Sequence, residues 1–84
     1  MVFLYMPTVL FVNGFRFFFF SADGLEPAHI HIKKGDGDDK IWLVPDVKVE
    51  YLIDFKAQEE KQIVEIVIEN RELLIAKWYE FFAG

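Results

Sequence analysis

Apolar side chains change their period once along the chain. From Thr8 to Ile53 they alternate in short runs broken by turn residues, and from Asp54 to Phe82 they recur every three or four positions. The first regime predicts strands and the second a helix. Two β-branched and aromatic runs, Thr8–Val12 and Phe15–Ser21, flank Asn13-Gly14. Asn-Gly accepts the positive φ that both central positions of a type I′ turn require, so a tight hairpin is expected. In the second run Phe17 and Phe19 face one way while Phe18 and Phe20 face the other. Such a strand needs cover on both faces, from the helix on one side and a second subunit on the other.

Asp23-Gly24 and Pro27 mark residues 22–27 as a loop. His29 to Lys33 then alternates strictly, with His29, His31 and Lys33 on one face and Ile30 and Ile32 on the other. Residues 34–39 are the next turn, and Lys40 to Val44 the fourth strand. Symmetric closure of that hairpin sets His31 opposite Trp42, Lys33 opposite Lys40 and His29 opposite Val44, with Ile30 against Leu43 and Ile32 against Ile41. After Pro45-Asp46, Val47 to Ile53 supplies a fifth strand.

Between Asp54 and Phe82 there is no proline or glycine, which predicts one long helix of roughly 40 Å, with a bend at Asn70 as its only interruption. Asp54 is placed to cap it, and Glu59 and Glu60 lie near the positive end of its dipole. Ile63, Val67, Leu74, Trp78 and Phe81 form the apolar row, with Arg71 its one polar member. The expected fold class is α+β: an antiparallel, hairpin-rich sheet of about five strands packed against one long C-terminal helix. Residues 1–84 make a single domain, with the sheet over 8–53, the helix over 54–82 and residues 1–5 as an N-terminal extension.

Composition adds several constraints. At 84 residues the chain is 54% hydrophobic and 18% aromatic, with ten phenylalanines. That exceeds what one sheet and one helix hide, so a homodimer is expected. Nine basic residues against fourteen acidic ones, a net charge of −5, make nucleic acid an unfavourable partner. Without cysteine there is no disulfide, thiolate nucleophile or zinc–thiolate site, in keeping with a cytoplasmic setting. The apolar N-terminus lacks the basic start and small-residue cleavage site of a signal peptide, and Pro7, Asn13-Gly14 and Arg16 interrupt any membrane span. A soluble protein is expected. Scarce Ser and Thr with abundant Glu, Lys and Ile resemble the composition of proteins from hot environments.

The candidate chemistry gathers on the third and fourth strands. His29 and His31 are the only histidines and point the same way. Several uses stand open. They are polar side chains on a solvent-facing strand. They are two ligands of a metal, with Glu26, Asp36, Asp38 and Asp39 as nearby carboxylates. They are an acid–base pair for RNA cleavage, with Lys33, Lys40 or Arg16 stabilising phosphate charge and Trp42 stacking a base. Or they are contacts for a protein partner. The binding set is His29, His31, Lys33, Lys40, Trp42 and Glu26, with His29 and His31 the only catalytic or metal candidates. Residues 35–39 lack the spacing and closing glutamate of a calcium loop. No P-loop, Rossmann fingerprint, HExxH or Ser-His-Asp set is present, so neither a cofactor nor an enzymatic activity is called for.

Met6-Pro7-Thr8-Val9, Asn13-Gly14-Phe15-Arg16-Phe17-Phe18-Phe19, Glu26-Pro27-Ala28-His29-Ile30-His31, Gly35 to Trp42, and Asn70-Arg71-Glu72-Leu73-Leu74 with Trp78 together resemble a family of small bacterial and archaeal proteins described as a domain of unknown function. Ala28 stands where that family often has a second proline. Met1–Tyr5 precede its usual start, which makes Met6 a candidate initiator. The resemblance implies a partner more than a reaction: a second small protein encoded alongside, in a toxin–antitoxin-like arrangement. It supplies no catalytic residues.

Overall fold

The computed structural model describes residues 7–83, so the expected extension over residues 1–5 lies outside the described residues. Five strands, β1 (Thr8–Val12), β2 (Phe15–Phe18), β3 (His29–Lys33), β4 (Asp38–Trp42) and β5 (Lys48–Ile53), form one antiparallel sheet in chain order. Asn13 and Gly14 have φ of 53° and 81°, the geometry that Asn-Gly admits most easily. This turn closes β1 on β2. The expected alternation of β3 holds: Phe17 pairs with Ile32 on one face, and Phe18 with His31 on the other.

Two helices, α1 (Ala57–Glu69) and α2 (Arg71–Phe82), replace the single helix expected. Asn70 separates them with φ −110° and ψ 14°. Its side-chain Nδ2 donates to the Ile66 carbonyl at 2.8 Å, and its backbone N–H also donates to that carbonyl, at 3.0 Å. A short amide side chain competing for backbone groups is a reason why Asn is a poor helix-interior residue. The helical start also differs. Asp54 has φ 62°, left-handed geometry, so it precedes the helix instead of capping it. Glu59 makes the local cap, its carboxylate accepting from the Lys56 N–H at 3.0 Å.

The helices cover one face of the sheet. Ile63, Ile66, Val67, Leu74 and Trp78 pack with buried sheet residues that include Phe15, Phe17, Ile30 and Ile41, and with Phe19 just beyond β2. The opposite face, expected to need a second subunit, is partly covered from within. Phe18 and Phe20 make an edge contact at 5.1 Å, and His31 lies 4.7 Å from the Phe20 ring.

The β3–β4 register departs from symmetric closure. His29 stands opposite Trp42 and Ile30 opposite Ile41, a slip of two residues from the expected pairing of His31 with Trp42. The connection is four residues, 34–37, because Asp38 and Asp39 belong to β4. Gly37 lies so close to the Phe55 ring that a Cβ there would overlap it, which fixes where the turn sits. A two-residue slip preserves faces, since side chains alternate with period two.

Arg71, the polar member of the helical row, reaches 26–28 residues back along the chain. Its Nε donates to the Leu43 carbonyl and a terminal nitrogen to the Pro45 carbonyl, both at 2.8 Å. These charge-assisted bonds tie α2 to the segment after β4, which contains a cis Val44–Pro45 bond. Arg71→Met keeps most of the aliphatic bulk and removes both donors. A loss of about 2–3 kcal/mol is expected in urea denaturation, and a loss below about 0.5 kcal/mol would mean the bonds are replaced by water.

Candidate functional site

The site is built where the chain leaves β2. Ser21–Leu25 form a 3-10 turn, held by an Asp23 N–H bond to the Phe20 carbonyl and a Glu26 N–H bond to the Asp23 carbonyl, both at 3.0 Å. A Cβ on Gly24 would fall 2.7 Å from the Phe82 ring, so this glycine lets the turn lie against the end of α2. The turn's product is a fixed carboxylate: Asp23 Oδ2 accepts from the Phe20 N–H at 2.9 Å.

That oxygen faces both histidines. His29 Nε2 lies 3.2 Å from it and His31 Nε2 3.1 Å. Each ring is tethered by its other nitrogen, His29 Nδ1 to the Pro27 carbonyl at 2.9 Å and His31 Nδ1 to the Asp39 carbonyl at 3.1 Å. A carbonyl only accepts, so both Nδ1 atoms carry hydrogen and both rings present Nε2 to Asp23. His29 is wholly buried, its ring 5.2 Å from Trp42 and 5.1 Å from Trp78; His31 is 8% exposed. Sequence reasoning placed both on a face turned away from the core. The face is right, but the 3-10 turn, Trp42 and the end of α2 enclose them.

Around this centre the other expected residues divide. Glu26 Oε2 lies 3.5 Å from His29 Nε2 and is held by Lys40, whose Nζ donates to both carboxylate oxygens at 3.0 and 2.9 Å. This hydrogen bond, with the lysine's charge behind it, pulls the Glu26 pKa below its ordinary value although partial desolvation opposes it. Lys40 also stands 4.5 Å over the Trp42 ring, whose Nε1 donates to Glu50 at 2.7 Å. Lys33 is apart. It pairs with Arg16 at the far end of β3 and borders a cleft of about 220 Å³ lined also by Phe18, Phe20, His31 and Asp39. Lys34, the next residue along, turns toward Glu59 at 3.4 Å.

One residue of the cluster was missed. Asp23 read as an ordinary Asp-Gly turn residue, and its six-residue distance from His29 was the one available signal. Asp39, expected in a polar turn and weighed there as a carboxylate for a metal, is instead 2% exposed, its Oδ1 accepting from the Ile32 N–H at 2.8 Å. Burial raises its pKa from 3.8 to about 7, with the Ile32 bond opposing and Asp38 adding to the rise. Asp36, Asp38 and Asp39, considered as ligands, do not join the histidines; among the described residues the gathered set is Asp23, His29 and His31, with one donor atom from each within 4.8 Å of the others.

An α+β meander with a helical pair on one face and an enclosed two-histidine, one-carboxylate cluster at the strand-turn junction is therefore the class of protein at hand. The family described as "Domain of unknown function (DUF4160)" matches residues 14–79, and the chain belongs to it. Comparison with curated proteins and with solved structures finds no significant match. Among the described residues no helix is long and apolar enough to cross a membrane.

Proposed function

We propose that this domain is a partner-binding module whose docking surface is the outer sheet face around Trp42. The observation that carries the reading is a preformed anchor beside an open cleft. The Trp42 indole is held from two sides by Glu50 and Lys40. Next to it lies a cleft of about 310 Å³ lined by Pro27, Trp42, Val44, Pro45, Asp46 and Lys48. A rigid aromatic at the edge of an apolar depression, rimmed by charges of both signs, is the arrangement of a protein-binding hot spot. Little side-chain entropy is lost when such a tryptophan is covered. The helices pack on the other face, so a partner can reach this one.

The partner in this reading is a second small protein encoded alongside, as the toxin–antitoxin-like arrangement implies, in the cytoplasm of a prokaryote. A homodimer belongs to the same proposal. The edge strand β1 carries Phe11 at 67% exposure, and Leu73 and Tyr79 on α2 also remain exposed. RNA cleavage by the histidine pair has less support. A phosphodiester approaching His29 and His31 would meet the carboxylates of Asp23 and Glu26, whose charge repels it.

Trp42→Ala in the chain co-purified with the neighbouring small protein is expected to weaken the complex at least tenfold by calorimetry. Its circular dichroism spectrum should stay that of the wild type. Wild-type affinity in a folded Trp42→Ala protein, or no complex with wild type, would refute this docking surface.

A further inference from the structure

The geometry points to a binding site for a divalent first-row transition metal ion, with Asp23 Oδ2, His29 Nε2 and His31 Nε2 as ligands. The first reason is the tautomer. Both Nδ1 atoms donate to backbone carbonyls, so in neutral rings both Nε2 atoms present lone pairs. These lone pairs meet the lone pairs of a carboxylate oxygen at 3.2 and 3.1 Å. Neither contact is a hydrogen bond while the rings are neutral, and His29 Nε2 is a buried atom with no hydrogen-bond partner among the described residues. Buried acceptors turned on one another are unfavourable unless something positive lies between them.

The second reason is spacing. Bonds of about 2.0–2.2 Å at angles between octahedral and tetrahedral set adjacent donors roughly 2.9–3.4 Å apart. The two nitrogen–oxygen separations, 3.2 and 3.1 Å, fall within that range. The third is support. Metal-bound histidines characteristically donate their second nitrogen to a carbonyl or carboxylate, which fixes tautomer and ring plane. The Pro27 and Asp39 carbonyls do this here, and the Phe20 N–H steadies the carboxylate.

The donor set indicates the class of ion. Two imidazoles with one carboxylate suit zinc, iron(II), cobalt or nickel; calcium and magnesium prefer all-oxygen sites, and copper(I) prefers sulfur. Glu26 is the candidate for a fourth position. Its Oε2 is already 3.5 Å from His29 Nε2, and binding would draw it from Lys40. Such a site fastens the 3-10 turn carrying Asp23 to strand β3 and does not depend on the docking proposal.

The test uses the full chain stripped with a chelator and titrated with cobalt(II), followed by visible absorbance, and with zinc(II), followed by calorimetry. One ion per chain is expected, with micromolar or tighter affinity and a raised melting temperature. His29→Ala is a poor probe because the ring is buried. Asp23→Asn and His31→Gln retain size and hydrogen-bonding capacity; each, once shown folded by circular dichroism, is expected to weaken binding at least 100-fold. Asp36→Asn should bind like wild type. Failure of wild type to take up either ion would overturn the site, as would unchanged affinity in folded Asp23→Asn.

Discussion

Asp39→Asn is expected to stabilise the protein above pH 7 by on the order of 2 kcal/mol and to change little below pH 4. In the native state burial holds this carboxyl protonated up to about pH 7, whereas its ordinary value is 3.8. Between those two values the folded chain keeps a proton that the unfolded chain has released. Stability therefore falls as pH rises through that window, and the loss is complete above it. About three units correspond to roughly 4 kcal/mol. The expectation for the variant is smaller because a buried amide has its own desolvation cost. Asparagine keeps an oxygen for the Ile32 N–H, which Asp39 Oδ1 now accepts at 2.8 Å. It removes the charge from Oδ2, which is buried with no hydrogen-bond partner among the described residues. Urea denaturation from pH 4 to 8, with chelator present, measures the difference. Parallel pH profiles for the two proteins would show that Asp39 does not titrate in this window.

Phe19→Ala should be the most damaging of the simple truncations. Phe19 has no exposed surface and joins the sheet to the end of α2, with ring centroids 5.2 Å from Trp78, 6.3 Å from Phe81 and 6.1 Å from Phe82. Removing a buried aromatic ring costs about 3–5 kcal/mol, through lost transfer energy and the cavity left behind. In a domain of this size that lowers the melting temperature by roughly 12–40 °C. Phe11→Ala is the matched control. Phe11 is 67% exposed on the edge strand, and a change within about 0.5 kcal/mol is expected there. Equal effects at the two positions would mean that the burial pattern of the phenylalanine run is wrong.

Much of the frame was legible because its signals are local. Asn13-Gly14 marked the first hairpin through backbone sterics alone, and the five strands come within a few residues of their expected limits. His29-Ile30-His31-Ile32 put the histidines on one face and the isoleucines on the other, as alternation requires. The switch from two to 3.6 residues per repeat located the helical region, though a continuous apolar row could not show that Asn70 would end one helix and begin another. Within the site, Glu26, Lys40 and Trp42 were anticipated beside the histidines. Lys33 was grouped with them because alternation puts it on their face, yet a strand separates its ends by about 3.3 Å per residue.

The order of strands, the face each side chain takes and the single change of period were determined by the sequence itself. Each depends on steric or periodic rules that act within a few residues. Only the tertiary structure decided the pairing of His29 with Trp42, the turn of Asp23 onto both histidines, and the burial of His29 and Asp39. These follow from packing between segments far apart in the chain, where the Phe55 ring sets the β3–β4 turn and α2 closes over His29 through Trp78. A two-residue slip leaves the face pattern unchanged, so local rules cannot distinguish the registers; close packing against the helices and loops does.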